Sequence, residues 1–410
     1  MRILLIHQNF PGQFRALAPQ LLARGHSVVA IGQRPLPQPL PGLHYIHDDG
    51  ADPEPVRRLT DPDLERSLQR AGRVHQRALQ LREQGFQPDA VIFHSGWGEG
   101  LYLRDVWPNA VLIAYPELYA RPTLLGHGFD PDLAPVGEAV RQSMRRQNFM
   151  ALAAIADADA AVAPTLFQRD TFPAHLRSRF HVIHEGVDLE RAQPRPQRQA
   201  QIHTNLNLGH GDPVITFVNR TLEPLRGFRA LMRALPLIQA RHPTAQTLIV
   251  GEATGSSYSP PSSHPQGYPG EMLALLGERL DRRRIHFLGR VSYEQLLGLF
   301  QISAAHVYLT YPYALSWSLL EAMACGAPVV GSANPPVTEV IRHGENGLLV
   351  PFAEPEALAD AVLTLLNDPP LRSRLGQAGR ELVAARYPIA RATDGYEQLI
   401  MSLQLTATRP

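Results

Sequence analysis

The sequence predicts an α/β protein of two doubly wound, Rossmann-like domains that face a central cleft. Three observations predict this fold class: a length of 410 residues, an apolar fraction of 44% and an alternation of short apolar runs with helical segments. A chain of this length exceeds what one hydrophobic core usually supports. Strands that alternate with helices form parallel β-α-β units, and uniformly apolar runs suit strands buried on both faces.

The first half of the chain is interpreted as one such domain, at 1–188. Its apolar runs predict strands at 2–7, 27–32, 88–94, 110–115, 158–164 and 180–186. The amphipathic stretch 61–86 and the segment 137–156 predict helices. The Pro-rich stretch through residue 42 predicts a loop, and we place His44 and His47 in the same loop-like region.

Residues 189–212 lose the alternation and are rich in Gln, Pro and Asn, which predicts a linker that acts as a hinge. The second domain is predicted at 213–385, with a final helix at 386–410 that packs back toward the first domain. Its apolar runs predict strands at 213–218, 246–251, 284–289, 304–310, 327–332 and 347–352. The segment 252–269 has no periodicity, which is typical of a mobile lid or a disordered loop.

Composition excludes several kinds of chemistry. The chain has no lysine, so all 39 basic residues are arginine. A pyridoxal Schiff base and the usual phosphate-binding P-loop both need a lysine and are excluded. The formal net charge is +1 with acids and bases interspersed, which argues against a duplex-DNA partner.

The sequence favours a cytoplasmic protein. The single cysteine, Cys325, lies in a buried run and has no partner for an internal disulfide. The apolar stretch at 3–6 is short and no small-residue cleavage site follows it, and no apolar run is long enough to span a bilayer. Arg141, Arg145 and Arg146 form a basic helical face, so peripheral contact with a membrane surface stays an alternative to a solvated face.

Arg220 and Arg226 follow the predicted strand at 213–218, at the edge of the sheet where ligands of doubly wound domains bind. Pro224 and Gly227 indicate a loop there. The two guanidinium groups are suited to gripping a diphosphate. The alternative is a pair of solvated arginines with Glu223 as their ion-pair partner.

A second candidate lies in the stretch 311–332. Its helix begins near Ser316 to Ser318, directly after a strand, and a helix amino terminus at such a place binds anions. Glu321 lies one turn into this helix. Ser318 and Glu321 match a capping box, which we favour from these residues alone over a carboxylate that binds the hydroxyls of a ribose.

Two weaker candidates lie in the first half. Gly12, in the turn after the first strand, could present backbone N–H groups to a phosphate, although most such glycines only satisfy a tight turn. His94 ends a strand, and a histidine there is more often a satisfied hydrogen-bonding residue than a catalyst. The 17 histidines show no metal-ligand spacing beside carboxylates, so no metal site is predicted.

Taken together, the motifs resemble a known family. The order "NRTLEPLRGF", "VGE", a long loop, "FLGRVSYEQL", "HVYLTYPYALSWSLLEAMACGAPVVGS" and "PVTEVIRHGENGLLV" is similar to the carboxyl-terminal domain of retaining family 4 glycosyltransferases, which have the GT-B fold. "IHQNFPGQFRALAPQLLARGHSVVAIG" resembles their amino-terminal start, and "HVYLTYPYALSWSLLEAM" resembles a bacterial subgroup. The resemblance covers nearly the whole chain and is looser between 35 and 140.

The resemblance implies a role for individual residues. Arg220 and Arg226 would hold the donor diphosphate, Glu321 the donor ribose, and Gly12 would approach the diphosphate from the other domain. The remaining donor contacts implied by the family are the main chain at Gly289, Arg290 and Val291, near the base, and the segment Tyr313, Ala314, Leu315, Ser316 and Trp317, near the phosphate or the sugar.

The chain departs from the family pattern at two places. Tyr313 stands where the family has a second acid that contacts the sugar. "YPELY" stands where a catalytic-side histidine is expected, so Tyr115 and Glu117 occupy that position. The predicted catalytic residues are therefore Arg220, Arg226, Glu117 and Tyr115.

The resemblance implies a retaining, metal-independent glycosyltransferase without a cofactor, which takes a nucleotide diphosphate sugar as donor and a glycan, lipid or small molecule as acceptor. Two alternatives stay open. One is a nucleotide-sugar epimerase of the same fold, which needs no acceptor. The other is a non-catalytic nucleotide-sugar-binding partner of another transferase, motivated by Tyr313 and the replaced histidine.

Overall fold

The structure is a computed structural model, and it describes residues 1–50, 62–203, 206–255 and 258–406. The chain divides into two compact units. The first contains Met1–Arg121, Val136–Gly186 and Ile389–Pro410, and the second contains Pro122–Pro135 and Val187–Pro388. Each unit is built on its own parallel sheet with helices, which confirms the predicted α/β class.

Strands and helices are numbered separately along the chain. The strands are Arg2–Ile6 (β1), Ser27–Gly32 (β2), His44–His47 (β3), Ala90–His94 (β4), Val111–Tyr115 (β5), Ala160–Ala163 (β6), Phe180–Val182 (β7), Gln199–His203 (β8), Leu206–Gly209 (β9), Val214–Thr221 (β10), Gln246–Glu252 (β11), Ile285–Gly289 (β12), Ala305–Tyr308 (β13), Val329–Ser332 (β14) and Leu348–Val350 (β15). The helices are Leu17–Ala23 (α1), Pro62–Glu83 (α2), Leu103–Val106 (α3), Glu138–Asp157 (α4), Leu166–Asp170 (α5), Phe228–Arg241 (α6), Gly267–Leu276 (α7), Tyr293–Ile302 (α8), Trp317–Ala324 (α9), Val337–Val340 (α10), Pro355–Asn367 (α11), Pro369–Arg386 (α12) and Ile389–Thr406 (α13).

The sheet of the first unit has the strand order β3-β2-β1-β4-β5-β6-β7, with all strands parallel. Its central strands are buried on both faces, as their uniformly apolar sequences predict. In β1, Ile3, Leu4 and Leu5 are fully buried. The last helix, α13, belongs to this unit, and its Tyr396 and Ile400 lie in the same apolar cluster as Ile3.

The sheet of the second unit repeats the same winding, with the order β12-β11-β10-β13-β14-β15 and all strands parallel. Its apolar core lies on both faces of β10, where Ile215 and Phe217 point to one cluster and Val214 and Val218 to the other. β8 and β9 form a separate antiparallel pair.

Three local expectations differ from the structure. His44 and His47 do not lie in a loop but bound the edge strand β3, which pairs with β2 and was hidden by its polar ends. The stretch predicted as a linker, 189–212, contains the β8–β9 pair and groups with the second unit. Residues 122–135 also group with the second unit, because the Tyr311 hydroxyl donates a hydrogen bond to Asp130.

The described residues of the stretch 252–269 make more contacts than a sequence without periodicity indicates. Ser259 is 9% exposed, and the Tyr268 hydroxyl donates to the Pro260 carbonyl oxygen at 2.6 Å. The Glu223 carboxylate accepts hydrogen bonds from the N–H groups of Tyr258 and Ser259 at 3.1 and 2.9 Å. A buried carboxylate that receives two backbone donors ties this stretch to the segment after β10.

Candidate functional site

Strand order places the candidate site of each unit. In the first sheet the order reverses between β1 and β4, and in the second between β10 and β13. Connections leave such a point in opposite directions, so a crevice opens there beyond the carboxyl ends of the strands, where doubly wound sheets bind ligands. His7 and His94 lie at this point of the first unit, and Arg220 and Thr310 at that of the second.

Arg226 is held in place by its own unit. It ends the short 3-10 turn Pro224–Arg226, and Gly227 follows with φ of 75°. A side chain at Gly227 would collide with Leu309, since an added Cβ would lie 2.3 Å from the Leu309 Cβ. Arg226 Nη1 donates to Thr310 Oγ1 at 3.2 Å and to the Ala314 carbonyl oxygen at 3.1 Å. Glycine is therefore required at the position that brings this guanidinium to the end of β13.

Two tyrosines complete the surroundings of Arg226. Its guanidinium carbon lies 5.9 Å from the ring centroid of Tyr258 and 5.6 Å from that of Tyr313, and the two rings are 4.8 Å apart. Such cation–π contacts orient a guanidinium without neutralising it. Among the residues that the structure describes, both hydrogen bonds of the Arg226 side chain are made by Nη1. Its Nε and Nη2 therefore stay open to a bidentate anion.

Arg220 and Glu223 lie on either side of the same loop but have different environments. Arg220 is exposed, and its side chain makes no hydrogen bond or ion pair with any residue in the described part of the chain. Glu223 is 1% exposed and accepts the loop N–H groups of Tyr258 and Ser259. The alternative of a solvated surface pair with Glu223 as partner is therefore wrong, because Glu223 is a buried anchor of that loop.

The helix α9 begins at the carboxyl edge of the second sheet, as predicted. Ser316 is its N-cap, and the Ser316 hydroxyl accepts from the N–H of Ser318 at 3.4 Å. Glu321 is then the fifth helical residue rather than the third, so it cannot reach back to the cap. The capping box predicted from Ser318 and Glu321 is wrong, because the helix starts two residues earlier than that motif requires.

The Glu321 carboxylate has a different neighbour. Glu321 is 4% exposed, and its Oε1 accepts a hydrogen bond from the Tyr293 hydroxyl at 3.1 Å. The Tyr293 ring in turn supports the Arg191 guanidinium, whose carbon lies 4.4 Å from the ring centroid. A nearly buried carboxylate that a phenol orients is a candidate acceptor for hydroxyl donors.

The other predicted donor contacts of the second unit follow the ends of β12 and β13. Gly289 has φ of 63°, and Arg290 makes an ion pair with Glu252 through Nε and Oε1 at 2.8 Å. Val291 packs against the apolar cluster that contains Leu319. Leu315 is 8% exposed, and the N–H of Ser316 donates to the Tyr308 hydroxyl at 2.7 Å.

In the first unit, Gly12 lies directly over His7. It has φ of 46°, and a Cβ added there would lie 2.5 Å from His7 Nε2. His7 Nδ1 accepts from the N–H of Asn9 at 2.8 Å, so Nε2 carries the proton and donates to Gln13 Oε1 at 2.5 Å. The glycine is thus needed for close approach to a histidine, in addition to its turn.

A chain of polar groups continues from Gln13. Its amide nitrogen donates to Glu117 Oε1, and Glu117 Oε2 lies 3.6 Å from His94 Nε2. On its other side, His94 Nδ1 faces Glu99 Oε1 at 3.9 Å, too far for a hydrogen bond. His94 and Glu99 are about 1% exposed, whereas the Glu117 side chain is 34% exposed. Glu117 and the partly exposed Gln13 are therefore the members of this chain that solvent or a ligand reaches.

The backbone at Glu117 supports this interpretation. Its φ is 53°, and no other non-glycine residue in the described ranges has a positive φ. Backbone conformations of this kind cost about 1 to 3 kcal/mol and concentrate at functional sites. The contacts of the carboxylate with His94 and Gln13 are among those that maintain this conformation.

Charges in this cluster shift one another's protonation. Burial lowers the pKa of His7 to about 3, and the neighbouring His94 contributes, so His7 is neutral. Burial alone would lower the pKa of His94, but the Glu117 and Glu99 carboxylates raise it above its ordinary value. Burial would raise the pKa of Glu117, but His94, His7 and Gln13 lower it. Glu117 is therefore a stable anion beside a histidine that favours its cationic form.

Tyr115 lies beneath this cluster rather than in it. It is 1% exposed, its hydroxyl donates to Glu185 Oε1 at 2.5 Å, and its ring packs 6.4 Å from that of Phe14. Burial and the Glu185 charge raise its pKa well above the ordinary value. Because it is buried, Tyr115 cannot contact a substrate directly in this structure. Any effect of Tyr115 on the reaction must act through neighbouring residues.

Sequence reasoning missed four members of the cluster: His7, Gln13, His94 as a partner of Glu117, and Glu99. The positions of His7 and His94 at strand ends were a sequence signal for the cluster. His7, His94 and Tyr115 end or follow β1, β4 and β5, which are adjacent in the sheet, so their ends share one edge.

Within the described ranges no group of three His, Cys, Asp or Glu side chains is arranged to hold a metal ion, and the absence of a metal requirement stays a prediction. No described helix combines the length and the apolar character needed to cross a bilayer. The cytoplasmic location and the contact with a membrane surface stay predictions too.

Comparisons with known proteins agree with this geometry. Residues 24–192 match the model of the glycosyl transferase family 4 group, and residues 198–382 match that of glycosyl transferases group 1. The chain is 29% identical over 220 residues to D-inositol 3-phosphate glycosyltransferase of Rhodococcus jostii (strain RHA1). That match covers 52% of this chain and 46% of the relative, so the chain spans about half the length of the curated relatives it matches.

Two solved structures are similar over almost the whole chain. Sucrose-phosphate synthase from Thermosynechococcus elongatus superposes with a TM-score of 0.75 at 20% identity, covering 99% of this chain and 100% of that one. Anabaena Alr3699/HepE, in a complex with UDP and glucose, gives a TM-score of 0.71 at 15% identity, covering 98% and 100%. With two family models matched in tandem, two parallel sheets of the same winding and these structural neighbours, the chain belongs to the family 4, group 1 glycosyltransferases and has the GT-B fold.

Proposed function

We propose that this protein transfers a sugar from a nucleoside diphosphate sugar to a hydroxyl of an acceptor, with retention of configuration and without a metal ion. The observation that carries the proposal is the setting of Arg226. Its guanidinium is fixed by Thr310 and Ala314, flanked by two tyrosine rings, and open at Nε and Nη2 among the described residues. This is a preorganised cation at the edge of the sheet where a diphosphate would leave.

The leaving diphosphate would be stabilised by three groups of the second unit. Arg226 binds it through two parallel N–H donors, the exposed Arg220 adds a second positive charge, and the amino end of α9 adds N–H groups. Together these replace the charge that Mg²⁺ supplies in metal-dependent transferases. Metal independence follows from them as a proposal.

The nucleoside half of the donor would be recognised further along the same edge. Glu321, oriented by Tyr293, accepts hydrogen bonds from the two ribose hydroxyls, and the main chain at Gly289 to Val291 lies against the base. Tyr313 contributes an aromatic wall beside Arg226 instead of an acid. We therefore expect the sugar to pack against this ring and to find fewer charged partners there.

The acceptor would be served by the cluster of the first unit. Glu117 is an anion, one third exposed, and it is held by His94 and Gln13. We expect its carboxylate to orient the acceptor hydroxyl as a hydrogen-bond acceptor. The bond from C1 to the diphosphate oxygen breaks, a bond from C1 to the acceptor oxygen forms on the same face, and the hydroxyl proton passes to the leaving phosphate.

The test uses the full chain and a panel of nucleoside diphosphate sugars that includes UDP and GDP donors. The donor that binds is incubated with sugar, lipid and polyol acceptors, and products are identified by mass spectrometry and NMR. Arg226→Ala should weaken binding of the nucleoside diphosphate by roughly 10- to 100-fold. The matched control is the free nucleoside, whose affinity should not change.

Three outcomes would contradict the proposal in different ways. Equal affinity of wild type and Arg226→Ala for the nucleoside diphosphate would show that Arg226 does not bind the donor. Conversion of the donor sugar without any acceptor would indicate an epimerase. Tight donor binding with no turnover of any acceptor would favour a non-catalytic binding partner.

A further inference from the structure

The second unit has a cavity at the edge of its sheet opposite to Arg226. The cavity has a volume of about 360 Å³. Its walls come from the residues that precede three strands: His210 and Gly211 before β10, Ser303 before β13, and Cys325 before β14. Because the strands are parallel, these amino ends lie at one edge and the candidate donor site at the other.

The charge of this cavity is one-sided. Arg195, Arg372 and Arg380 line it, and none of the described lining residues is an aspartate or a glutamate. Three arginine side chains therefore line one space whose described walls carry no carboxylate. Such a lining favours an anionic ligand over a neutral or cationic one.

The three arginines are not equivalent. Arg380 Nη1 donates to the Ala324 carbonyl oxygen at 2.5 Å and so caps the carboxyl end of α9. Arg195 is exposed, and its charge acts on Glu294, which already pairs with Arg191 at 2.7 Å. Arg372 is half-buried and has no side-chain hydrogen bond to a described residue, and burial lowers its pKa with no carboxylate to offset the effect. Arg195 and Arg372 are thus the groups with donors to offer.

The cavity is shaped by close backbone contacts and apolar walls. Helix α12 approaches the turn at Gly326 through Gly376, where an added Cβ would lie 2.3 Å from the Gly326 carbonyl oxygen. Pro194, Pro328 and Pro369 line the sides. The volume lies within the range of small-molecule sites and exceeds what a bare phosphate fills. The occupant that fits has an anionic head and a compact organic body.

We propose that this cavity binds a small phosphorylated metabolite, a phosphomonoester whose phosphate is held by Arg195 and Arg372 and whose organic part lies against the proline-lined walls. Phosphate matches a guanidinium fork through two parallel N–H donors, which favours it over a carboxylate of the same size. The site is separate from the candidate donor site, because the length of α9, about 12 Å for eight residues, lies between Ser316 and Cys325.

The test measures binding of glucose 6-phosphate and of inorganic phosphate to the full chain by isothermal titration calorimetry at constant ionic strength. In Arg195→Ala/Arg372→Ala, affinity for glucose 6-phosphate should fall by roughly tenfold or more. Arg386→Ala, which removes an exposed arginine of the same helix α12 outside the cavity, is the matched control and should bind as wild type does. Thermal unfolding of each variant verifies that it is folded.

Two further binding measurements distinguish this site from the donor site. Arg226→Ala should keep its affinity for glucose 6-phosphate, and the double variant should keep its affinity for the nucleoside diphosphate. Unchanged glucose 6-phosphate binding in the double variant, or loss of that binding in Arg226→Ala, would refute the cavity as the site. No binding by the wild type would also refute it, and equal affinity for inorganic phosphate would refute the organic part of the ligand.

Discussion

Replacing Glu321 by glutamine separates a ligand contact from a structural one. The change exchanges one carboxylate oxygen for an amide nitrogen and keeps the shape. The Tyr293 hydroxyl can still donate to the remaining oxygen, as it does at 3.1 Å to Oε1 of the glutamate. The start of α9 is capped by Ser316, so it does not depend on Glu321. Because the substitution keeps the shape and the Tyr293 hydrogen bond can persist, stability should change less than donor binding does.

The expected loss is in donor binding. If Glu321 binds two ribose hydroxyls, the amide retains one acceptor and loses the charge that strengthens both hydrogen bonds. Hydrogen bonds to a charged group contribute about 1.5 to 3 kcal/mol, which corresponds to roughly 10- to 150-fold in affinity. The 4% exposure of Glu321 argues for the upper part of that range, because solvent screens a buried carboxylate weakly.

The assay is calorimetric titration of the nucleoside diphosphate and of its 2′-deoxy analogue into wild type and Glu321→Gln. The 2′-deoxy compound should bind the wild type less tightly, and this penalty should shrink in the variant because the partner it lacks is already weakened. Tyr293→Phe is the matched control, since it removes the phenol donor and keeps the carboxylate. The same 2′-deoxy penalty in Glu321→Gln and in wild type would refute the ribose contact.

Three more predictions follow from the two units. Glu117→Gln should leave nucleoside diphosphate affinity unchanged and lower kcat at least about tenfold, because the anion held by His94 is lost; equal kcat would exclude Glu117 from the reaction. A chelator should not change turnover, and strict dependence on Mg²⁺ would show that the arginines do not replace a metal. Burial lowers the pKa of His306 to about 3, so the folded state binds fewer protons than the unfolded one between pH 3 and 6.5. Stability should therefore fall as pH falls through that window, by at most about 1.4 kcal/mol per pH unit. Urea unfolding of His306→Leu at pH 7 and 4.5 should show a smaller difference than wild type, and an identical difference would exclude His306 as a source of acid sensitivity.

The sheets were predictable because their strands are apolar on both faces. Runs such as 213–218 and 246–251 are typical of strands covered by helices on both faces, and both runs form such strands, β10 and β11. Strand β3 was not predictable in the same way, because an edge strand is half solvated and its ends are His44 and His47. Its pairing with β2 depends on tertiary contacts that no local pattern records.

The candidate sites divide along a similar line. The order of motifs located Arg226 and Glu321, since both are tied to strand and helix ends that the sequence marks. The choice between a capping role and a ribose-binding role for Glu321 depended on where α9 begins, and helix ends are the part of an element that a local pattern fixes least. The approach of Glu117 to His94 joins residues 23 positions apart through neighbouring strands, so it required the strand order.

The first unit is assembled from segments that are distant in sequence, and this affects the order in which the two units can fold during synthesis. Helix α13 supplies Tyr396 and Ile400 to the core around β1, and Arg24 near the start pairs with Glu397 at 2.6 Å. The second unit needs nothing beyond residue 388. On the ribosome the second unit can therefore fold while the earlier-made strands of the first still wait for their last helix, and a chain that stops short of α13 leaves that apolar face uncovered, as a substrate for chaperones and proteases.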